Sequence, residues 1–301
     1  MLNHSNIFYL RSKPLLNRFY LLILLFLLPI AHSKLYAGER LIATGGVMQI
    51  EGAAGGGLSP WALIAGYGTR GEIGGSSFYT HARTQGGYEM NLGGAAVGFN
   101  NRVEISYSHQ RLGLSDTVPN ENVRMHSVGA KVRLFGDAVY DQDTWMPQVS
   151  VGMQLKHNVD FNKVPKALGA ERASGIDFYI AATKLYMDAI VGRNVLINTT
   201  LQATKANQFG LLGFGGDKHD GYQLQPAVSV AIMLRDDLLL GTEYRAKPNN
   251  LSTFKEDDAH DFFLAWFPTK NFALTAAYVN LGNIADKDDQ NAWYLSGQIS
   301  Y

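Results

Sequence analysis

The chain ends with Trp293-Tyr294-Leu295-Ser296-Gly297-Gln298-Ile299-Ser300-Tyr301, and this stretch decides the fold class. In an extended strand successive side chains point to opposite faces. One face then carries Trp293, Leu295, Gly297, Ile299 and Tyr301, and the other carries Tyr294, Ser296, Gln298 and Ser300. A period of two over roughly ten residues is typical of a tilted strand that crosses a hydrocarbon core. The stretch therefore predicts a transmembrane strand that closes a barrel.

The same alternation recurs upstream, and no segment keeps the 3.6-residue period of a helix. It predicts an all-β, antiparallel, up-and-down barrel of about fourteen strands. The predicted strands are 41–50, 59–67, 76–84, 88–99, 102–112, 125–135, 145–156, 175–188, 195–206, 222–234, 237–247, 260–268, 271–281 and 292–301. If residues 41–58 instead form a plug or an inner lining, the count is twelve. Either even count places both termini on the periplasmic side.

Alternation also fits a soluble sandwich, so the connections are needed to decide. Short turns at 99–102, 191–194, 235–237 and 268–271 alternate with long polar loops at 115–122, 159–174, 208–221, 248–258 and 283–291. The long turn 136–144 is the exception. Short periplasmic turns and long outer loops are the asymmetry of bacterial barrels, and aromatic residues near strand ends fit interfacial girdles. These aromatic residues are Trp145, Tyr222, Tyr244, Trp266, Trp293 and Tyr301.

The N-terminus has the pattern of an export signal. Basic Arg11, Lys13 and Arg18 precede an apolar run at 21–30, which is too short to span a bilayer as a helix. Ala31-His32-Ser33 fits a cleavage site, with a cut after Ala37 as an alternative. We expect a signal peptide at 1–33 and an outer-membrane barrel at 34–301, and the alternative is an uncleaved inner-membrane anchor. With no Cys, a formal net charge of zero and no basic stripe, neither disulfides nor a nucleic-acid partner is expected.

Charged residues of both signs fall on the faces expected to line the lumen. A Lys or Arg facing lipid costs about 2–4 kcal/mol at the bilayer midplane, which favours placing them inside. The predicted pore-lining residues are Tyr79, His81, Arg83, Glu104, Lys131, Arg133, Lys156, Asp177, Glu243, Arg245 and Lys247. The pattern predicts a passive channel for an unidentified small solute. The alternative is a filled, non-conducting barrel whose surface loops bind a partner or lipid.

Other candidate chemistry is weaker. The glycine run 52–57 lacks the Lys-Ser/Thr of a phosphate-binding loop and is better explained by tight turns or close approach. Ser127 with His81 is a guess at a lipid-modifying enzyme site, and Asp261 belongs to one of two acidic clusters assigned to outer loops. The apolar loop 209–216 either captures an apolar ligand or folds into the barrel mouth. We therefore expect no catalytic residue, no metal and no cofactor.

Two resemblances support this interpretation. Residues 44–69, TGGVMQIEGAAGGGLSPWALIAGYGT, and 72–80, EIGGSSFYT, resemble the opening of a proteobacterial family catalogued as a domain of unknown function and grouped with outer-membrane barrels. That resemblance implies a barrel in the bacterial outer membrane, among lipid and lipopolysaccharide, but no catalytic or ligand residues. The apolar face of the last strand (Trp293, Leu295, Gly297, Ile299, Tyr301) resembles the C-terminal signal read by the barrel-assembly machinery, which is the expected assembly partner.

Overall fold

The computed structural model describes residues 40–114 and 117–301, so the predicted signal peptide lies outside the described residues. A two-stranded hairpin, β1 (Val47–Met48) and β2 (Ala54–Gly55), precedes a closed antiparallel barrel of twelve strands. The barrel strands are β3 (Ile73–Thr84), β4 (Glu89–Phe99), β5 (Val103–Gly113), β6 (Asn122–Phe135), β7 (Gln148–Asn158), β8 (Ser174–Ile190), β9 (Arg193–Thr204), β10 (Gln223–Arg235), β11 (Leu238–Arg245), β12 (Ala259–Thr269), β13 (Phe272–Asn280) and β14 (Asn291–Ser300). A one-turn helix, α1 (Val164–Ala167), lies in one loop.

The structure confirms the all-β barrel and the count of twelve, and the count of fourteen is wrong. Each barrel strand pairs with its neighbour in sequence, and β14 closes the cylinder on β3 with Ser300 opposite Ser76. Predicted strands 41–50 and 59–67 do not join the wall, because β1 pairs only with β2 and side chains of the lumen bind the backbone of Ile50, Ala62 and Ala65.

The outer face of the wall is apolar. On β14, Trp293 and Leu295 are 69% and 64% exposed, whereas their sequence neighbours face inward. The six aromatic residues predicted near strand ends are all exposed on the surface. Closure of the ladder satisfies the backbone without water, which is what a hydrocarbon environment requires. This architecture is that of a bacterial outer-membrane β-barrel. Among the described residues, no helix has the length and apolarity to cross a membrane.

The two ends of the barrel carry different connections. At one end the links 100–102, 191–192, 236–237 and 270–271 are two or three residues long, and this is the periplasmic end in such barrels. In the first of these, Asn100 and Asn101 both have positive φ, as a tight hairpin turn requires. The long link 136–147 packs against β8, where Leu185 donates its N–H to the carbonyl of Ala138.

Residues 44–68, here called the plug, are buried inside the barrel. Apart from the short hairpin of β1 and β2, the plug has no regular strand or helix. It leaves at the periplasmic end, where the N–H of Tyr67 and that of Gly75 both donate to the carbonyl of Tyr301, at 2.8 and 3.0 Å. A Cβ on Gly66 would overlap the backbone of Gly75, so only glycine fits this exit.

Candidate functional site: the plugged lumen

An ion pair of the wall binds the plug backbone on one side of the lumen. Glu104 of β5 accepts the N–H groups of Ala54 and Ala65 at 3.1 and 2.9 Å. Lys131 of β6 lies 3.1 Å from Glu104 and donates to the carbonyls of Ala54 and Leu63 at 2.8 and 2.7 Å. Both charged side chains are 1% exposed. This pair therefore replaces the strand partner that the plug lacks.

A second wall carboxylate binds the plug from β11. Glu243 accepts the N–H of Leu58 at 2.8 Å and the hydroxyl of Ser59 at 2.9 Å. The hydroxyl of Ser229 on β10 donates to the same carboxylate at 2.7 Å. A Cβ on Gly56 would overlap this carboxylate. The glycine run therefore permits close approach of plug and wall, as its sequence indicated.

The centre of the lumen holds a buried cluster of four charges. Glu51 of the plug forms ion pairs with Lys156 of β7 and, at 2.8 Å, with Arg245 of β11. Lys156 also pairs with Asp177 of β8. Two acids and two bases balance, so the cluster is neutral. Ion pairs this deep contribute little stability compared with apolar packing, but leaving one partner alone is costly.

Neutral wall side chains satisfy the remaining plug backbone. Amide and hydroxyl groups that point inward from five strands reach plug carbonyls and N–H groups. These are Gln110 to Ile50, Gln148 and Ser150 to Ala62, Thr183 to Ala62, Thr200 to Pro60, and Gln298 to Gly46. Polar contacts therefore hold the plug backbone, while plug side chains such as Trp61 and Leu63 pack into the hydrophobic core.

The outer mouth is closed by residues 205–216, here called the mouth loop. Phe209, Leu211 and Phe214 are buried, so this apolar loop folds into the barrel mouth. The Phe209 ring lies 4.6 Å from the guanidinium of Arg245, and Asn158 donates to the carbonyl of Leu211 at 2.6 Å. Gln208 and Phe209 have positive φ, which is uncommon for residues with side chains and shows how tightly the loop turns.

A buried carboxylate in loop 246–258 holds the mouth loop. Glu256 accepts the N–H of Gln208 at 2.5 Å and lies 3.6 Å from the ammonium of Lys247. Burial raises the pKa of Glu256 to about 7, although Lys247 opposes the rise. Burial also lowers the pKa of Lys247. The second oxygen of Glu256 has no hydrogen-bond partner among the described residues. The contact is therefore sensitive to protonation near neutral pH.

The periplasmic part of the lumen is apolar. A cavity of about 50 Å³ lies between the plug and the wall there, lined by side chains such as Leu63, Leu196, Leu239 and Phe263. An apolar cavity of this size stays dry and holds no solute of useful size.

Seven of the predicted pore-lining residues face the lumen. They are Glu104, Lys131, Lys156, Asp177, Glu243, Arg245 and Lys247, and all are buried. They bind the plug, each other or the mouth loop. In this structure their role is therefore to keep the plug and the mouth loop in place. Arg133 shares their face but lies at the periplasmic rim, where it pairs with Asp137 at 3.0 Å.

Tyr79, His81 and Arg83 face outward, so their predicted inward placement is wrong. The opposite face of β3, which includes Phe78 and Thr80, is buried. The cost of a charge on the lipid face falls to about 0–1 kcal/mol near the interface. Arg83 lies one residue from the end of β3, where that cost is small.

Sequence reasoning missed two acidic residues of the lumen. Glu51 is the single charged residue of segment 44–68, and a lone charge in a glycine-rich apolar segment could have marked it as paired. Asp261 was assigned to an acidic outer loop, which is wrong. It lies on β12 and accepts the N–H of Glu243 at 3.0 Å. Its alternation with the buried Phe263 would have placed it inward.

The guessed Ser–His site does not form. Ser127 is buried toward the lumen, whereas His81 lies on the outward face of β3. A different pair meets on the outer surface, where Nδ1 of His157 lies 2.7 Å from the hydroxyl of Ser174. In the part of the chain that the structure describes, no carboxylate contacts His157 to orient it as a base. Nor do these residues contain a group of three or more His, Cys, Asp or Glu suited to a metal ion.

Comparison with known families identifies the chain's relatives. The model of the family described as "Protein of unknown function (DUF3034)" matches residues 44–298. The chain belongs to this family. The match begins with the plug and ends within β14, so the DUF3034 model spans both plug and wall. None of the curated proteins compared with the chain matches it.

Solved structures with some similarity to this DUF3034 chain include several barrels. The KdgM porin is 12% identical, with a TM-score of 0.47 over 75% of this chain and 99% of that one. The NanC porin is 12% identical, with a TM-score of 0.48 over 74% and 98%. Omp33 of Acinetobacter baumannii is 10% identical, with a TM-score of 0.43 over 78% and 100%. With TM-scores below 0.5, these likenesses do not identify a function for this chain.

Proposed function

We propose that this protein is a passive outer-membrane channel for small polar solutes, which the plug closes in the state described. One observation supports the proposal above others: the wall presents buried charges of both signs to a plug that is held by polar contacts. Glu104, Lys131 and Glu243 all contact plug backbone. The plug and the mouth loop together account for the closed state.

The choice of residues in the lumen favours a second, hydrated state. A barrel that only needed filling would be at least as stable with apolar residues, because buried ion pairs seldom exceed well-packed apolar groups in stability. The periplasmic part of this lumen is filled in that way. The charged groups at the centre, in contrast, can be solvated by water once the plug moves. A lumen that is hydrated in a second state explains their presence.

Displacement of the plug would leave a lumen with both signs of charge. Lys131 lies beside Glu104 and Lys156 beside Asp177 on adjacent strands, while Arg245 and Glu243 share β11, with Asp261 beside Glu243. Charges of both signs along the wall would offer polar solutes partners of either sign during passage. Solute would enter between the outer loops, exchange water for these groups and leave down its gradient, with no cofactor.

A disulfide between plug and wall tests the proposal. The chain has no cysteine, so an introduced pair is unique. The hydroxyls of Ser59 and Ser229 lie 3.0 Å apart, so Ser59→Cys with Ser229→Cys would join the plug to β10. In planar bilayers we expect the oxidised protein to be silent and the reduced protein to show discrete conductance steps.

The matched control is a disulfide within the wall. The hydroxyls of Ser76 and Ser300 lie 2.9 Å apart across the β3–β14 seam. Ser76→Cys with Ser300→Cys should conduct alike when oxidised and reduced. Equal conductance of the oxidised and reduced Ser59→Cys/Ser229→Cys variant would contradict gating by the plug. Folded wild-type protein that stays silent under all conditions would contradict a channel.

A second candidate is a non-conducting barrel whose surface loops bind a partner or lipid. The filled lumen favours it, since the cavity there measures only about 50 Å³. Loop 159–173, with α1, exposes side chains such as Lys166 and Arg172 for binding. The cysteine experiment separates the two candidates, because a structural plug gives silence in both redox states. We propose no enzymatic activity for either.

Two partners accompany both candidates. We propose that the barrel-assembly machinery reads the last strand, because Trp293, Leu295, Ile299 and Tyr301 present one continuous exposed face. The surrounding lipid, including lipopolysaccharide in the outer leaflet, is the second proposed partner. The apolar outer face supports it.

A further inference from the structure

Basic side chains gather on one side of the outward face. Near the outer ends of β5 and β6, Arg111 lies directly opposite Arg124. Two residues further into the membrane, His109 lies opposite His126, with ring centroids 4.7 Å apart. His157 on β7 is the next cross-strand neighbour of His126. These five residues, here called the basic patch, occupy adjacent positions of three strands.

The depth of the basic patch corresponds to lipid headgroups. Arg111 lies two residues from the end of β5, and Arg124 lies two residues from the start of β6. At about 3.3 Å per residue, both lie within roughly 7 Å of the strand ends. Deeper on the same face the outward residues become apolar, as at Ile105 and Val128. The cations therefore lie where the hydrocarbon layer gives way to headgroups.

The arginine pair lacks a shared counter-charge. Like charges placed directly opposite on neighbouring strands repel each other. Asp160 accepts hydrogen bonds from Nε and Nη2 of Arg124, at 2.8 and 3.0 Å, and Lys163 beside it pairs with Glu121. Within residues 40–114 and 117–301, no hydrogen bond or ion pair engages the guanidinium of Arg111. Arg111 is therefore the arginine of the pair whose charge an added anion would balance.

The opposite side of the barrel has a different composition at the same level. There the outward residues near the outer ends of β11, β13 and β14 include the aromatic Tyr244, Tyr278 and Trp293. Aromatic rings are common at membrane interfaces in general and do not select one headgroup. The basic patch is thus a local feature and not a general property of the rim.

We propose that the basic patch binds a phosphate of a phosphorylated glycolipid in the outer leaflet, with Arg111 as the main contact. The planar guanidinium bonds phosphate oxygens in a bidentate manner, and the histidines add donors toward the acyl chains. The lipid chains would lie along the apolar surface of β5 to β7 below. The proposal rests on the outer-membrane location and is independent of whether the barrel conducts.

Native mass spectrometry of the purified barrel in neutral detergent tests the proposal. The probes are diphosphoryl lipid A, its dephosphorylated form, phosphatidylglycerol and inorganic phosphate. We expect wild type to prefer diphosphoryl lipid A over the dephosphorylated form, and Arg111→Gln to lower that affinity roughly tenfold. Arg111→Lys should keep only part of the affinity, since it keeps the charge but loses the bidentate geometry.

The matched control is Arg70→Gln, at an exposed site in the periplasmic turn, which should bind lipid A as wild type does. Equal loss in Arg70→Gln, or no loss in Arg111→Gln, would overturn the proposal. So would full competition by inorganic phosphate or equal binding of phosphatidylglycerol, which would indicate an unspecific anion site. Gel mobility before and after heating shows that each variant is folded. Conductance of Arg111→Gln should equal that of wild type, so failure of the channel and failure of this site are separate results.

Discussion

The wall and the plug solve the same physical problem in different ways. Each must satisfy its backbone polar groups away from bulk water. The wall does so with main-chain ladders between neighbouring strands, which close through β14 and β3. The plug does so with side chains borrowed from the wall, such as Glu104, Lys131 and Glu243. A main-chain ladder is independent of side-chain identity, whereas each hydrogen bond from a wall side chain to the plug depends on one residue.

This difference makes the wall resistant to single substitutions, whereas the contacts that hold the plug can be replaced by water. Water can replace a side-chain donor or acceptor one bond at a time, but opening a closed ladder exposes a whole row of backbone groups to lipid. Substitutions that remove a hydrogen bond between wall and plug should therefore loosen the plug before they affect the wall. The following predictions test this distinction.

The largest effect is expected from Lys156→Met. Lys156 lies between Glu51 of the plug and Asp177 of the wall, so its loss leaves two buried carboxylates with one cation. Breaking a buried ion pair costs about 3–5 kcal/mol. Urea unfolding in detergent should show the loss. Lys166→Met, at an exposed site on α1, is the control and should change little. Equal stability of the two variants would show that the central cluster is already hydrated.

An intermediate effect is expected from Gly56→Ala. The added Cβ would overlap the carboxylate of Glu243, and overpacking of this kind costs about 1–3 kcal/mol. Limited proteolysis should cleave the plug faster while the barrel wall resists. The control is Gly113→Ala at the end of β5, where the nearest atom would be 3.6 Å away. Matching proteolysis of wild type and Gly56→Ala would contradict the close approach.

The smallest effect is expected from pH at the mouth loop. The pKa of Glu256 is raised by burial from 4.5 to about 7, so the folded protein holds a proton that the unfolded chain has lost between these values. The contribution of Glu256 to folding stability is complete below about pH 4.5 and falls as the pH rises to about 7, because the folded state must then bury a charged carboxylate. Hydrogen exchange of residues 205–216, corrected for intrinsic rates, should therefore be faster at pH 8 than at pH 5. In Glu256→Gln this difference should vanish, and its persistence would assign the pH dependence to another group.

The wall was largely predictable from sequence because its period of two has one cause, the alternation between lipid and lumen. On β14 the contrast between Trp293 and Ser296 identifies the lipid face at once. On β3 the two faces are mixed, since the neighbours Phe78 and Tyr79 are both aromatic and lie on opposite faces. The outward face of β3 could be identified only from its partners, which is why His81 and Arg83 were placed inside.

The plug was not predictable in the same way, because its conformation follows from the wall and not from its own period. Its backbone turns where Glu104 and Glu243 accept its N–H groups, and these acids lie far away in sequence. Most of the inward charges could be found from the cost of placing them in lipid. The contacts that Lys131 makes with the plug could not, since its partners there are main-chain carbonyls, which leave no mark in sequence.

The bond between Tyr67 and the carbonyl of Tyr301 has a consequence for the order of biogenesis. It joins two points separated by most of the chain, and contacts of such long range form late in folding. Tyr301 directly follows β14, so the strand that closes the barrel also supplies the acceptor that fastens the plug at its exit. The plug therefore cannot be fastened at this point before β14 has paired with β3.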